Sequence, residues 1–141
     1  MDFVTFEIAK KLKEKEFREE CLAYYTTEYT LYNNIITLTD NKYLHVLDIN
    51  YEEFLVSHNS IKYANDNYVD APTISQVLKW LRDEKEIYCS PHFEQGIDMW
   101  FFYIAKPQMG CEFPEYMSES IYNTYEAAAI TGIEYVLDNL I

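Results

Sequence analysis

Cys89, His92 and Cys111 are the residues whose types and spacing come nearest to a reactive set. A C-x-x-H pair can supply two zinc ligands, and a cysteine elsewhere a third. Cys89 and His92 fall three apart on an expected strand, where odd separations point to opposite faces. Convergence on one ion therefore requires Pro91 to bulge the chain. The same Cys89 thiol could act as a nucleophile if His92, His45 or His58 lay beside it and lowered its pKa. Buried strand cysteines without such help behave as small hydrophobes. The carboxylate pairs Glu52/Glu53 and Glu112/Glu115 have the types needed for acid and base work. Among 24 acidic residues such pairs arise by chance. No P-loop, G-x-G-x-x-G, G-x-S-x-G or H-E-x-x-H occurs. The expectation is a protein without a cofactor and without catalysis, with Cys89, His92 and Cys111 as its weak metal candidates.

The elements that must hold these residues can be read from periodicity. Thr5 to Lys15 predicts a helix with Ile8, Ala9 and Leu12 on one side and lysines crowding its C-terminal half, where the helix dipole favours them. From Cys21 to Ile49 the texture is β, with "CLAYYT", "YTLY", "IITLT" and "YLHVLDI" separated by turns at Asn33-Asn34 and Asp40-Asn41. A weak capping box from Asn50 to Glu53 suggests a short helix over Tyr51 to Ser57. The polar stretch "HNSIKYANDNYVDAP" reads as the longest loop. Thr73 and Gln76 then cap a helix whose Ile74, Val77, Leu78 and Leu81 form a core stripe, with Trp80 beside the stripe, covering the rim of the core or packing under the adjoining loop.

Three antiparallel strands follow: "IYCSPHF" from Ile87, "IDMWFFYIA" from Ile97 and "CEFPEY" from Cys111, turned at "EQG" and "KPQMG". Pro91 and Pro114 cannot donate to a ladder, so they place their strands at edges or mark bulges, and the Trp100 strand belongs at the centre, apolar on both faces. The last helix is capped at Asn123, with Ala129, Ile133, Val136, Leu137 and Leu140 on one face. Gly132 in its interior costs about 1 kcal/mol against Ala, which suggests a close approach to a neighbour. The sum is a single α+β domain over residues 1–141: an antiparallel sheet covered by amphipathic helices, ordered α-β-β-(β)-α-α-β-β-β-α.

Composition bounds the function. The chain has 141 residues, enough for one core, and its net charge is −13. Lys10, Lys11, Lys13, Lys15 and Arg18 are matched by neighbouring glutamates, whereas no base follows Lys106. Such a field repels phosphate backbones and anionic lipid, which disfavours direct nucleic-acid or membrane binding. The longest apolar run, "MWFFYIA", falls far short of the ~20 residues a spanning helix needs. The start reads as amphipathic helix rather than secretion signal, and three cysteines without framework spacing fit a reducing cytoplasm. Fourteen tyrosines offer recognition surface, with Tyr24, Tyr25, Tyr29, Tyr32, Tyr43, Tyr63 and Tyr68 clustered in the first half.

The blocks "FEIAKKLKEKEF", "APTISQVLKWLRDEKEIY" and "YNTYEAAAITGIEYVLDNL" resemble a family of small acidic uncharacterised proteins encoded by phages and mobile elements of gut Bacteroides-like bacteria. The block "PT-x-SQ-x-x-KWLR" is the most specific of them. In such proteins the first block ends K-E-K-G-F, and here Glu16 replaces the glycine. The resemblance implies an accessory gene product in the host cytoplasm; it implies no activity and transfers no site residues. Three functions stay open: a non-catalytic protein-binding module that modulates a host or viral factor, an acidic nucleic-acid mimic that inhibits a DNA-binding protein, and a small Cys/His metal or thiol enzyme. A homo-oligomer formed through an edge strand is compatible with each.

Overall fold

The structure is a computed structural model that describes residues 2–26, 34–39, 42–47, 68–106 and 116–141. It is a mixed α+β fold with three helices and two antiparallel sheets among the described residues. The chain divides into two compact units, residues 3–73 and residues 74–141, with Asp2 grouped with the latter.

In the first unit, α1 (Phe6–Glu14) starts where the Thr5 hydroxyl accepts from the Ile8 N–H at 3.3 Å. The expected stripe of Ile8, Ala9 and Leu12 is buried. The sheet runs β2 (Asn34–Thr39), β3 (Lys42–Leu47), β1 (Ala23–Thr26), β4 (Tyr68–Asp70), every neighbouring pair antiparallel. Thr39 pairs with Lys42, so only residues 40 and 41 join β2 to β3. One face of β1 meets α1: Tyr25 packs edge-on to Phe6 and donates its hydroxyl to the Val4 carbonyl at 2.7 Å. β4 corrects the sequence reading, which placed Tyr68–Asp70 in a loop. A three-residue strand with asparagine before it and alanine-proline after it is too short to show alternation. Its pairing to β1 and the burial of Val69 make it a strand.

In the second unit, α2 (Ile74–Lys85) packs against β5 (Tyr88–Glu94) and α3 (Tyr125–Asn139). Trp80 belongs to the core, not to the rim, and Leu78 is only half-buried. The buried arc is therefore rotated toward the larger indole, which removes more apolar surface from water than leucine does. The sheet order is β5, β6 (Met99–Ala105), β7 (Tyr116–Met117), with the Trp100 strand central and the Pro91 strand at an edge as expected. β6 is not covered equally on its two faces: Phe102 and Ile104 are buried, while Phe101 and Tyr103 stay half-exposed. The cap of α3 is Thr124 rather than Asn123; its hydroxyl accepts from the Ala127 N–H at 3.1 Å.

Two helices stop by the same device. Glu16 (φ 62°) follows α1 and Glu86 (φ 55°) follows α2, both in the left-handed region. After α1, the Glu16 N–H bonds to the Lys13 carbonyl and the Phe17 N–H to that of Leu12, a Schellman closure with Phe17 buried beyond it. After α2, the Ile87 N–H reaches back to the Leu81 carbonyl, and Ile87 is fully buried. The segments "EKEF" and "EKEI" thus share a left-handed glutamate before a buried apolar residue, with different closing hydrogen bonds.

The expected short helix over Tyr51 to Ser57, the strand "YTLY", the loop residues 58–67, the turn residues 107–110 and Pro114 lie outside the described residues. Among the described residues, no helix is long and apolar enough to cross a membrane.

Candidate functional site

Cys89 and His92 sit on β5, whose register against β6 runs unbroken from Tyr88 opposite Ala105 to Glu94 opposite Met99. Pro91 pairs with Phe102 and makes no bulge. The two side chains therefore leave on opposite faces, as strand geometry requires. Cys89 faces α3, so close to it that a Cβ at Gly132 would stand 2.6 Å from Sγ and 3.1 Å from the Phe102 ring. The close approach anticipated at Gly132 is thus to the sheet. His92 lies on the outer face, stacked on Phe101 (centroids 5.6 Å) and Tyr103 (4.4 Å), with Nε2 3.2 Å from the Ser90 hydroxyl.

Burial pushes the Cys89 thiol up to about 12, the reverse of what a thiolate nucleophile needs. His45 belongs to the first unit, and His58 lies outside the described residues, as do Cys111 and the carboxylates Glu52, Glu53, Glu112 and Glu115. Among the described residues, no three His, Cys, Asp or Glu side chains gather as metal ligands. Cys89 has no disulfide partner among the described residues, and Cys21 donates its thiol to the Glu19 carbonyl at 3.4 Å.

His45 is a buried polar group that the sequence reading mentioned only as a distant base. It lies on β3 as the register partner of Tyr24, whose ring stacks on it at 4.7 Å and on Tyr68 of β4 at 4.7 Å. Its Nε2 hydrogen-bonds the Thr26 hydroxyl at 2.8 Å, and Nδ1 has no partner among the described residues. Burial lowers its pKa, so the ring is held neutral. It is a core histidine, bonded at one end among the described residues.

The exposed chemistry lies at the hairpin end of the second sheet. Phe93 on β5 and Trp100 on β6 are register partners, 5.3 Å apart and inclined at 55°. Tyr125, the first residue of α3, stands edge-on to Trp100 at 5.4 Å. A bridge between Trp100 and Tyr122 holds the approach to α3 against β6, with N–H to carbonyl bonds of 2.8 and 2.7 Å in the two directions. Burial first, then coupling to the neighbouring Cys89 and Glu126, raises the Tyr125 pKa, so the phenol stays protonated. Sequence reasoning missed this group because it assigned Trp100 to a covered central strand. The usable signal was apolar residues inside polar segments, in "HFEQGID" and "SESIYNTYE".

No family model, characterised protein or solved structure matches this chain.

Proposed function

We propose that this chain is a non-catalytic protein-binding module, an accessory product of a phage or mobile element that modulates a host or viral factor. The reading is supported by where the exposed apolar surface lies. Among the described residues, Leu38 alone represents the first unit, whereas Tyr88, Phe93, Ile97, Met117, Ile121 and Tyr125 are exposed in the second. Large apolar side chains exposed among carboxylates, as these are in the second unit, have the composition of a protein-contact surface. A nucleic-acid mimic would use the same carboxylates, but it has no need of the rings between them.

The outer face of the second sheet offers a clean test, because Tyr88 and Met117 both belong to it and neither supports the core. Tagged chain expressed in infected host cells is expected to capture one partner reproducibly. Replacing Tyr88 and Met117 together by serine should cut recovery about tenfold or more while leaving the melting temperature in place. Absence of a reproducible partner, or full recovery by the double variant, overturns the reading.

A further inference from the structure

We propose that the hairpin end of the second unit binds a cationic side chain of a basic protein segment, an arginine above all, on the rings of Phe93, Trp100 and Tyr125 beside Glu126. This rests on the protein-binding reading above and names the chemistry of the contact. Phe93 is 46% and Tyr125 36% exposed, and Ile97 and Ile121 nearby are each 53% exposed. Trp100 between them is half-buried, and the two rings meet it at 55° and 88° rather than in a parallel stack. A cation over such a face is attracted by the ring quadrupole, most strongly at indole.

Charge decides what the occupant is. No Lys or Arg occurs between Glu86 and Ala105, or after Lys106. Glu94, Asp98, Glu119 and Glu126 make no ion pair among the described residues. Elsewhere the chain supplies its own cations to its rings: Lys42 Nζ lies 5.2 Å from the Phe6 centroid and Lys85 Nζ 5.1 Å from that of Trp80. At the hairpin end it supplies carboxylates instead, so the matching cation must come from another molecule. A guanidinium can stack on a ring and bond a carboxylate in its own plane at once, which favours arginine over lysine. Nucleic acid is repelled by this field, and a second copy of a chain of charge −13 brings more of the same sign.

The test uses the purified full chain and a synthetic peptide of alternating arginine and glycine, with the citrulline version as its neutral twin. Two indole N–H signals report, one from Trp100 at the site and one from buried Trp80. The arginine peptide should shift the Trp100 signal saturably and leave Trp80 unmoved, and the citrulline peptide should do neither. Tyr125→Leu and Phe93→Leu, at exposed positions, should each weaken binding several-fold to about tenfold. Glu7→Gln, in the first unit, should leave it unchanged. Lack of a saturable Trp100 shift, equal binding by the citrulline peptide, or undiminished binding by both ring variants would each sink the proposal. Peptide binding without any partner captured from cells counts against the module reading alone. A captured partner with no Trp100 response counts against this site alone.

Discussion

The two sheets of this protein use aromatic residues in opposite ways. In the first, Tyr24 and Tyr25 on β1 are almost wholly buried, one stacked between His45 and Tyr68 and the other bonded to the Val4 carbonyl. In the second, Phe102 alone of the β6 rings is fully buried, and Phe93, Tyr88 and Tyr125 reach the surface. The strands are of similar composition, so ring content does not decide burial. What differs is cover: both faces of β1 are closed, whereas β6 has one half-exposed face, and on its other face Phe93 and Trp100 lie at the very start of α3, beside Tyr125. Tyr24 and Tyr25 of the first unit are core, whereas Tyr88, Phe93 and Tyr125 of the second reach solvent.

The sharpest way to break that contrast is to remove one ring from each side. Tyr24→Ala should cost about 3 to 5 kcal/mol, since a large buried side chain leaves a cavity. Phe93→Ala should stay within about 0.5 kcal/mol, as exposed positions do. Denaturant unfolding of both variants checks this, and comparable losses would erase the distinction. Gly132→Ala comes next, with an expected loss of about 2 kcal/mol, because the added Cβ meets Cys89 Sγ and the Phe102 ring. Replacing Cys89 by alanine in the same chain should recover part of that loss, a coupling that a double-mutant cycle measures.

Glu16→Gly and Glu86→Gly change sign: each should stabilise its unit by about 1 kcal/mol, because glycine adopts positive φ without the steric cost that a Cβ imposes. Thermal melts of the two variants compare the same device in the two units. A loss in either would mean that the glutamate side chain contributes more than its backbone strain removes.

The smallest effects near neutral pH lie at its two flanks, one from each unit. The folded pKa of His45 is lowered, so the unfolded chain binds the proton more readily. Its contribution is complete above the unfolded value of 6.5 and is lost as pH falls below it. The folded pKa of Cys89 is raised from 9.0 to about 12, so its contribution is complete below 9.0 and is lost as pH rises from there toward 12. Stability measured against pH should therefore lose part of its acid slope in His45→Phe and part of its alkaline slope in Cys89→Ala. Unchanged slopes would show that neither burial persists in solution.

Much of the scaffold was legible in the residues. The stripe Ile8, Ala9, Leu12 and the β6 run each carry a period that only one kind of element satisfies. Pro91 announced an edge because it cannot donate to a neighbour. Less visible were β4, too short for a period, and the rotation of α2 that buries Trp80. Both depend on what lies opposite. The candidate site was least legible. Cys89 and His92 drew notice by type, yet strand geometry sends them apart, while Phe93, Trp100 and Tyr125 have unremarkable types and meet only through pairing and the placement of α3.

By itself, then, the sequence determined the helical stripes, the β texture and the absence of bases over the second sheet, because periodicity and charge are local properties of a chain. Tertiary structure decided which rings are core and which are surface, that Cys89 is buried against Gly132, and that carboxylates and exposed rings gather at one hairpin end. Those are matters of proximity between residues distant along the chain, and only the folded backbone brings them together.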